Sequence, residues 1–164
     1  MKTKLKFLLV LASIIVVLDQ ITKMMVISKF YLHESIDIIT GVFNFTYIRN
    51  TGAAFGFLAH APSFIRIPFF VIIPIVALIM IYQLFKKLPA DSRWLSSSLG
   101  LIVGGAIGNV IDRVRFGYVI DFLDFHWKGM YHYPAFNIAD SAICVGVAIL
   151  MFEMIFKKNS PFHS

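Results

Sequence analysis

The sequence predicts an all-α membrane protein: a bundle of four transmembrane helices carrying a small outer platform of β-sheet and loop, one domain over residues 1–164. Three observations predict it. Hydrophobic residues make up 59% of the chain and charged residues 15%, against about 25% charged in soluble domains. The apolar residues gather in four blocks of about twenty, the length needed to cross a bilayer. Basic residues sit between the blocks, as in a multi-pass protein.

The formal net charge of +6 is therefore no nucleic-acid signature, since the cations do not line one polar face. A single cysteine, Cys144, excludes an internal disulfide and any multi-cysteine metal site.

The first block is read as a span over 7–27. MKTKLKFLLVLASIIVV has the basic start and apolar run of a secretory signal, but lacks an A-x-A site and stays apolar past Asp19 to Ile27. In the outer segment 28–63, Phe43, Phe45 and Tyr47 of VFNFTYIRN alternate with Asn44, Thr46 and Ile48. That period of two predicts a strand with one apolar face. SIDIIT, at 35–40, is expected to pair with it across Thr40-Gly41, giving a surface platform. Further spans are expected at 64–85, 94–114 and 136–156, with a second outer segment at 115–135. Lys2, Lys4 and Lys6, then Lys86, Lys87 and Arg93, then Lys157 and Lys158, fall on one side of this arrangement. The excess of cations marks that side, with both termini, as cytoplasmic.

Ionisable residues inside spans are costly and are functional candidates by default. At a rise of 1.5 Å per residue, Asp19 and Lys23 lie roughly 18 and 24 Å from the inner end of the first span, and Asp140 about 6 Å from the outer end of the fourth. With Asp112 and Arg113 they form one polar layer in the outer third of the bilayer. Gly100, Gly104, Gly108 and Asp112 recur at intervals of four, a G-x-x-x-G stripe that allows close helix packing. Asn109, Asp112 and Arg113 are expected to project together, and Asn137, Asp140 and Ser141 to share a face.

Asp19 with Lys23, and Asp112 with Arg113, read as structural ion pairs. His33, Glu34, Asp37 and His60 read as solvated loop residues, Cys144 as core filling, and Glu153 as a boundary charge. Asp140 has no cation on its own helix, and Asp121 or Asp124, both in VIDFLDF, is its candidate partner. Two carboxylates a few ångströms apart in a poorly hydrated site share one proton, which suits peptide hydrolysis by an activated water. Alternatives are weaker. His126 and His132 lack helical zinc spacing, a Ser141–Lys23 dyad would need Lys23 deprotonated beside Asp19, and Cys144 has no adjacent base. A proton-coupled transporter using Asp19, Asp112 and Asp140 would call for midplane carboxylates and repeat symmetry, and the sequence has neither. A catalytically silent assembly subunit leaves Asp121 and Asp140 unexplained.

DQITK at 19–23, NTGAAFG at 50–56, GGAIGNVIDR at 104–113, VIDFLDF at 119–125 and FNIADS at 136–141 together resemble bacterial lipoprotein signal peptidase, signal peptidase II. The resemblance implies a cofactor-free, monomeric aspartic endopeptidase of the bacterial inner membrane with its site near the outer face. It would cleave diacylated prolipoproteins, within membrane lipid, just before the lipidated cysteine, and would be inhibited by globomycin. It implies Asp121 and Asp140 as catalytic residues, and Asp19, Lys23, Asn50, Asn109, Asp112, Arg113 and Asn137 as supporting ones. Gly52, beside Asn50, would let turn backbone approach the substrate chain.

Overall fold

Glycine decides how closely the helices approach. Helix α3 (Arg93–Phe116) turns Gly100 and Gly104 toward α1 (Lys2–Lys29). An added Cβ there would stand 2.7 Å from the Leu8 carbonyl oxygen and 2.8 Å from that of Ala12. On the adjoining strip, a Cβ on Gly105 would run into the carbonyl oxygen of Ala139 in α4 (Ile138–Phe156). Helix α3 is thus clasped between α1 and α4, and α2 (Ser63–Lys87) leans on α3 from outside. Replacing Gly105 by valine should force α3 and α4 apart, costing about 1–3 kcal/mol as overpacking does. A melting curve in detergent checks it: an unshifted midpoint would mean that the close approach is dispensable.

The structure is a computed structural model and describes residues 2–52, 61–90, 92–127 and 130–156. The four expected spans are present as helices long and apolar enough to cross a membrane. The fourth begins at Ile138 rather than 136, because Asn137 caps the helix instead of entering it. His60, Lys157, Lys158 and the end of NTGAAFG lie outside the described residues.

At the end of the bundle where α1 starts, the buried Lys4 ammonium donates 2.6 Å to the Leu88 carbonyl and 2.9 Å to that of Phe85. A cation at the C-terminal end of α2 meets orphan carbonyls and the negative pole of the helix. Glu153, read from the sequence as a boundary charge, is buried.

At the opposite end stand strands β1 (Ser35–Ile39), β2 (Phe43–Asn50), β3 (Val119–Trp127) and β4 (Tyr131–His132), antiparallel neighbours in that order. The expected β1–β2 hairpin forms, and its turn uses Gly41 at φ 76°, a left-handed conformation that glycine adopts freely. The single apolar face expected for Phe43, Phe45 and Tyr47 does not form. A bulge between Phe45 and Ile48 shifts the register, so Thr46 and Tyr47 are both buried while Phe45 is exposed. Tyr47 packs with Val26, Ile120 and Phe122, which seats the sheet on the end of the bundle. Glu34, expected to be a solvated loop residue, is half-buried and accepts a 2.6 Å bond from the Tyr31 amide.

Candidate active site

Lys23 is 1% exposed, yet its charge is fully answered. Its Nζ lies 2.8 Å from Asp19 Oδ2 and 2.9 Å from Asp112 Oδ2, and donates 3.0 Å to Asn109 Oδ1. Three hydrogens meet three acceptors, the condition under which a buried ammonium is tolerated. The expected Asp19–Lys23 pair is present. The expected Asp112–Arg113 pair is not, because neighbours on a helix point about 100° apart and do not face each other. Asp112 turns to Lys23, and Arg113 turns to the Gly52 carbonyl at 3.3 Å and the ring of Phe70. Gln20, which sequence reasoning missed, donates 2.9 Å to Asp112 Oδ1 and 3.2 Å to Asp19 Oδ2. An amide inside an apolar span was the available signal.

Helix α4 begins with a reciprocal cap. The Asp140 amide donates 2.9 Å to Asn137 Oδ1, and the Asn137 amide donates 3.3 Å to Asp140 Oδ2. Asn137 occupies the N-cap and Asp140 the third helical position, the geometry of a capping box. This negative side chain sits at the positive end of the helix dipole. Asp140 Oδ1 also accepts 2.7 Å from Asn109 Nδ2. The depth of Asp140 is thereby explained: the helix start supplies the polarity that the bilayer lacks.

Strand β3 brings Asp121 to the same place. Its Oδ1 accepts 2.7 Å from Asn137 Nδ2 and its Oδ2 accepts 2.9 Å from Asn50 Nδ2. Asn137 is therefore bonded to both aspartates, with the amide oxygen toward Asp140 and the amide nitrogen toward Asp121. The two acids line one cavity of about 560 Å³ together with Asn50, Gly52, Asn109 and Arg113. Asp124 is half-buried, faces Asn44 at 3.4 Å and is absent from that lining. Cys144, expected to fill the core, is exposed and borders the cavity one turn from Asp140.

The two acids differ in surroundings. Asp121 is 2% exposed whereas Asp140 is partly open. Burial first, and the neighbouring Asp140 second, push the Asp121 carboxyl up to about 7, against the opposing pull of Asn50, Asn137 and Lys23. A carboxyl that carries a proton near neutral pH beside a second carboxylate can donate while its neighbour accepts.

Fold and site together define an integral membrane protein with paired acids at one mouth of a helix bundle. A family profile described as signal peptidase (SPase) II matches residues 11–156. Lipoprotein signal peptidases are similar over most of their length. That of Geobacter sulfurreducens is 54% identical over 139 residues, covering 85% of each chain. That of Syntrophus aciditrophicus is 49% identical over 160 residues, covering 97% of this chain and 98% of the other. A solved structure described as a bacterial membrane enzyme superposes with a TM-score of 0.77 at 33% identity, over 93% of this chain and 92% of that one. The chain belongs to the signal peptidase II family, a multi-pass bacterial membrane family.

Proposed function

We propose that this protein removes signal peptides from diacylglyceryl-modified prolipoproteins, hydrolysing the peptide bond before the lipidated cysteine with a water held between Asp121 and Asp140. The observation that carries this reading is the pair of carboxyls held by one residue, Asn137, whose side-chain amide donates to Asp121 and whose backbone N–H donates to Asp140, in a cavity at the sheet end of the bundle. In this mechanism Asp140, the more open acid, takes a proton from the water as its oxygen attacks the carbonyl carbon. Asp121 gives its proton to the carbonyl oxygen. Collapse of the resulting diol breaks the C–N bond, the amine leaves with the proton that Asp140 took, and Asp121 regains its own.

The cation-rich end of the bundle, with Lys4, Lys86, Lys87 and Arg93, supports a cytoplasmic placement of that end. The cavity then opens at the outer face of the bacterial cytoplasmic membrane. A substrate held by its signal helix and its acyl chains presents the bond to be cut at that depth. Asn50, Gly52 and Arg113 line its path.

The purified protein in detergent, mixed with a diacylated prolipoprotein, should yield the shortened product on a gel, and globomycin should block its formation. Equal cleavage of the unlipidated precursor, or no cleavage of the lipidated one, would refute the substrate assignment.

A further inference from the structure

The buried charges behind the cavity reach the dyad through backbone. Asp19 Oδ1 accepts 3.0 Å from the Ala139 amide, and Asp112 Oδ2 accepts 3.1 Å from the Ile120 amide. Ala139 immediately precedes Asp140, and Ile120 immediately precedes Asp121. The two acids that hold these amides are themselves joined by Lys23 Nζ, at 2.8 and 2.9 Å. All of these side chains are at most 1% exposed. Space is reserved for them as well: a Cβ on Gly108 would stand 2.6 Å from Asp19 Oδ2.

From this we infer that Asp19 and Asp112, bridged by Lys23, are positioning residues that set the separation and aim of Asp121 and Asp140 by each gripping the amide just ahead of one of them. The inference rests on the peptidase reading and explains how two chain segments meet accurately. Asp121 arrives on a strand and Asp140 on a helix, 19 positions apart in sequence. Their backbones pair at a single bridge, Leu123 with Phe136, on the far side of Asp121 and ahead of the Asn137 cap; the buried bridge of charges adds a second hold at the residues immediately preceding the two acids. Small misplacements at a reacting centre cost rate steeply. Every oxygen of the clamp is used: Gln20 supplies the donors that Lys23 and the two amides leave unmet.

The clamp also sets charge at the dyad. Asp121 is faced by Lys23 from α1, Arg113 from α3, Asp140 from α4, and the amides of Asn50 and Asn137. Lys23 favours the ionised form of Asp121.

Three measurements test the clamp. In kinetics on lipidated substrate, Asp112→Ala should lower kcat by about tenfold or more with KM within about twofold, and Asp112→Asn, which keeps an acceptor for the Ile120 amide, should recover most of it. In pH profiles, Lys23→Met should move the limb assigned to Asp121 upward and Asp112→Asn should move it downward. A residue that merely stabilises the fold would shift neither, or both alike. In amide exchange, Asp19→Ala should deprotect Ala139 and spare Ile120, and Asp112→Ala the reverse; this arm needs no substrate. Wild-type protein that fails to cleave would defeat the peptidase reading alone and leave the exchange result to decide the clamp. Cleaving wild type with unchanged kcat and pH profile in the variants, or exchange that rises globally and not at the named amide, would overturn the clamp alone.

Discussion

Asp121→Asn should abolish cleavage, lowering kcat by about 10³-fold or more, yet the variant should melt no earlier than wild type at pH 8. The two halves of this expectation have one cause. Burial and the nearby Asp140 raise the Asp121 carboxyl from 3.8 to about 7 in the folded protein. Between those values the folded state binds the proton that the unfolded state releases. Stability from this group is therefore full below its unfolded value and is lost as the pH rises through about 7. At 1.36 kcal/mol per unit, the ionised group weighs on the fold by up to about 4 kcal/mol at pH 8. Asparagine cannot ionise and escapes that load. It meets two donors, Asn50 and Asn137, and one mismatch costs about 1–3 kcal/mol. The melting difference between variant and wild type should therefore turn in the variant's favour between pH 5 and pH 8. A wild type that gains on the variant over that interval would contradict the raised carboxyl. Asp140→Asn should be equally inactive and should lower the affinity of Asp121 for its proton, since it removes the second cause of the shift.

How much of this was legible beforehand differs by element. Four spans followed from composition and length, because the bilayer imposes both. The Asp19–Lys23 pair followed from i, i+4 spacing, which is local. Asp112 was misassigned to Arg113 because its true partner lies on another helix, and one sequence holds no record of which helix faces which. Strand β3 was missed for a physical reason: Val119, Ile120, Asp121 and Phe122 are buried in succession, so the alternation that marks a half-exposed strand is absent. The bulge in β2 likewise leaves no signature in VFNFTYIRN. Asp121 and Asp140 stood out as carboxylates without a local cation, but their common partner, Asn137, read as a face of α4 and not as its cap.

That dual role of Asn137 makes it the second large effect. Asn137→Ala removes the acceptor of the Asp140 amide and the donor to Asp121, and leaves the Ile120 carbonyl without its 3.3 Å contact. Loss of an N-cap costs about 1 kcal/mol and an unsatisfied buried carbonyl about 1–3, so the variant should melt several degrees lower. Cleavage should fall by about 10²-fold, the scale expected when a catalytic acid loses its aim. Serine separates the two functions. Asn137→Ser keeps a capping oxygen for the Asp140 amide, because serine is as good a cap, but its side chain is too short to replace the 2.7 Å bond to Asp121. Stability should return in Asn137→Ser while cleavage stays low. Recovery of both together would reduce Asn137 to a helix cap and leave the two carboxyls without a common scaffold. Recovery of stability alone means that the same amide that starts the helix also fixes the direction in which Asp121 presents its proton.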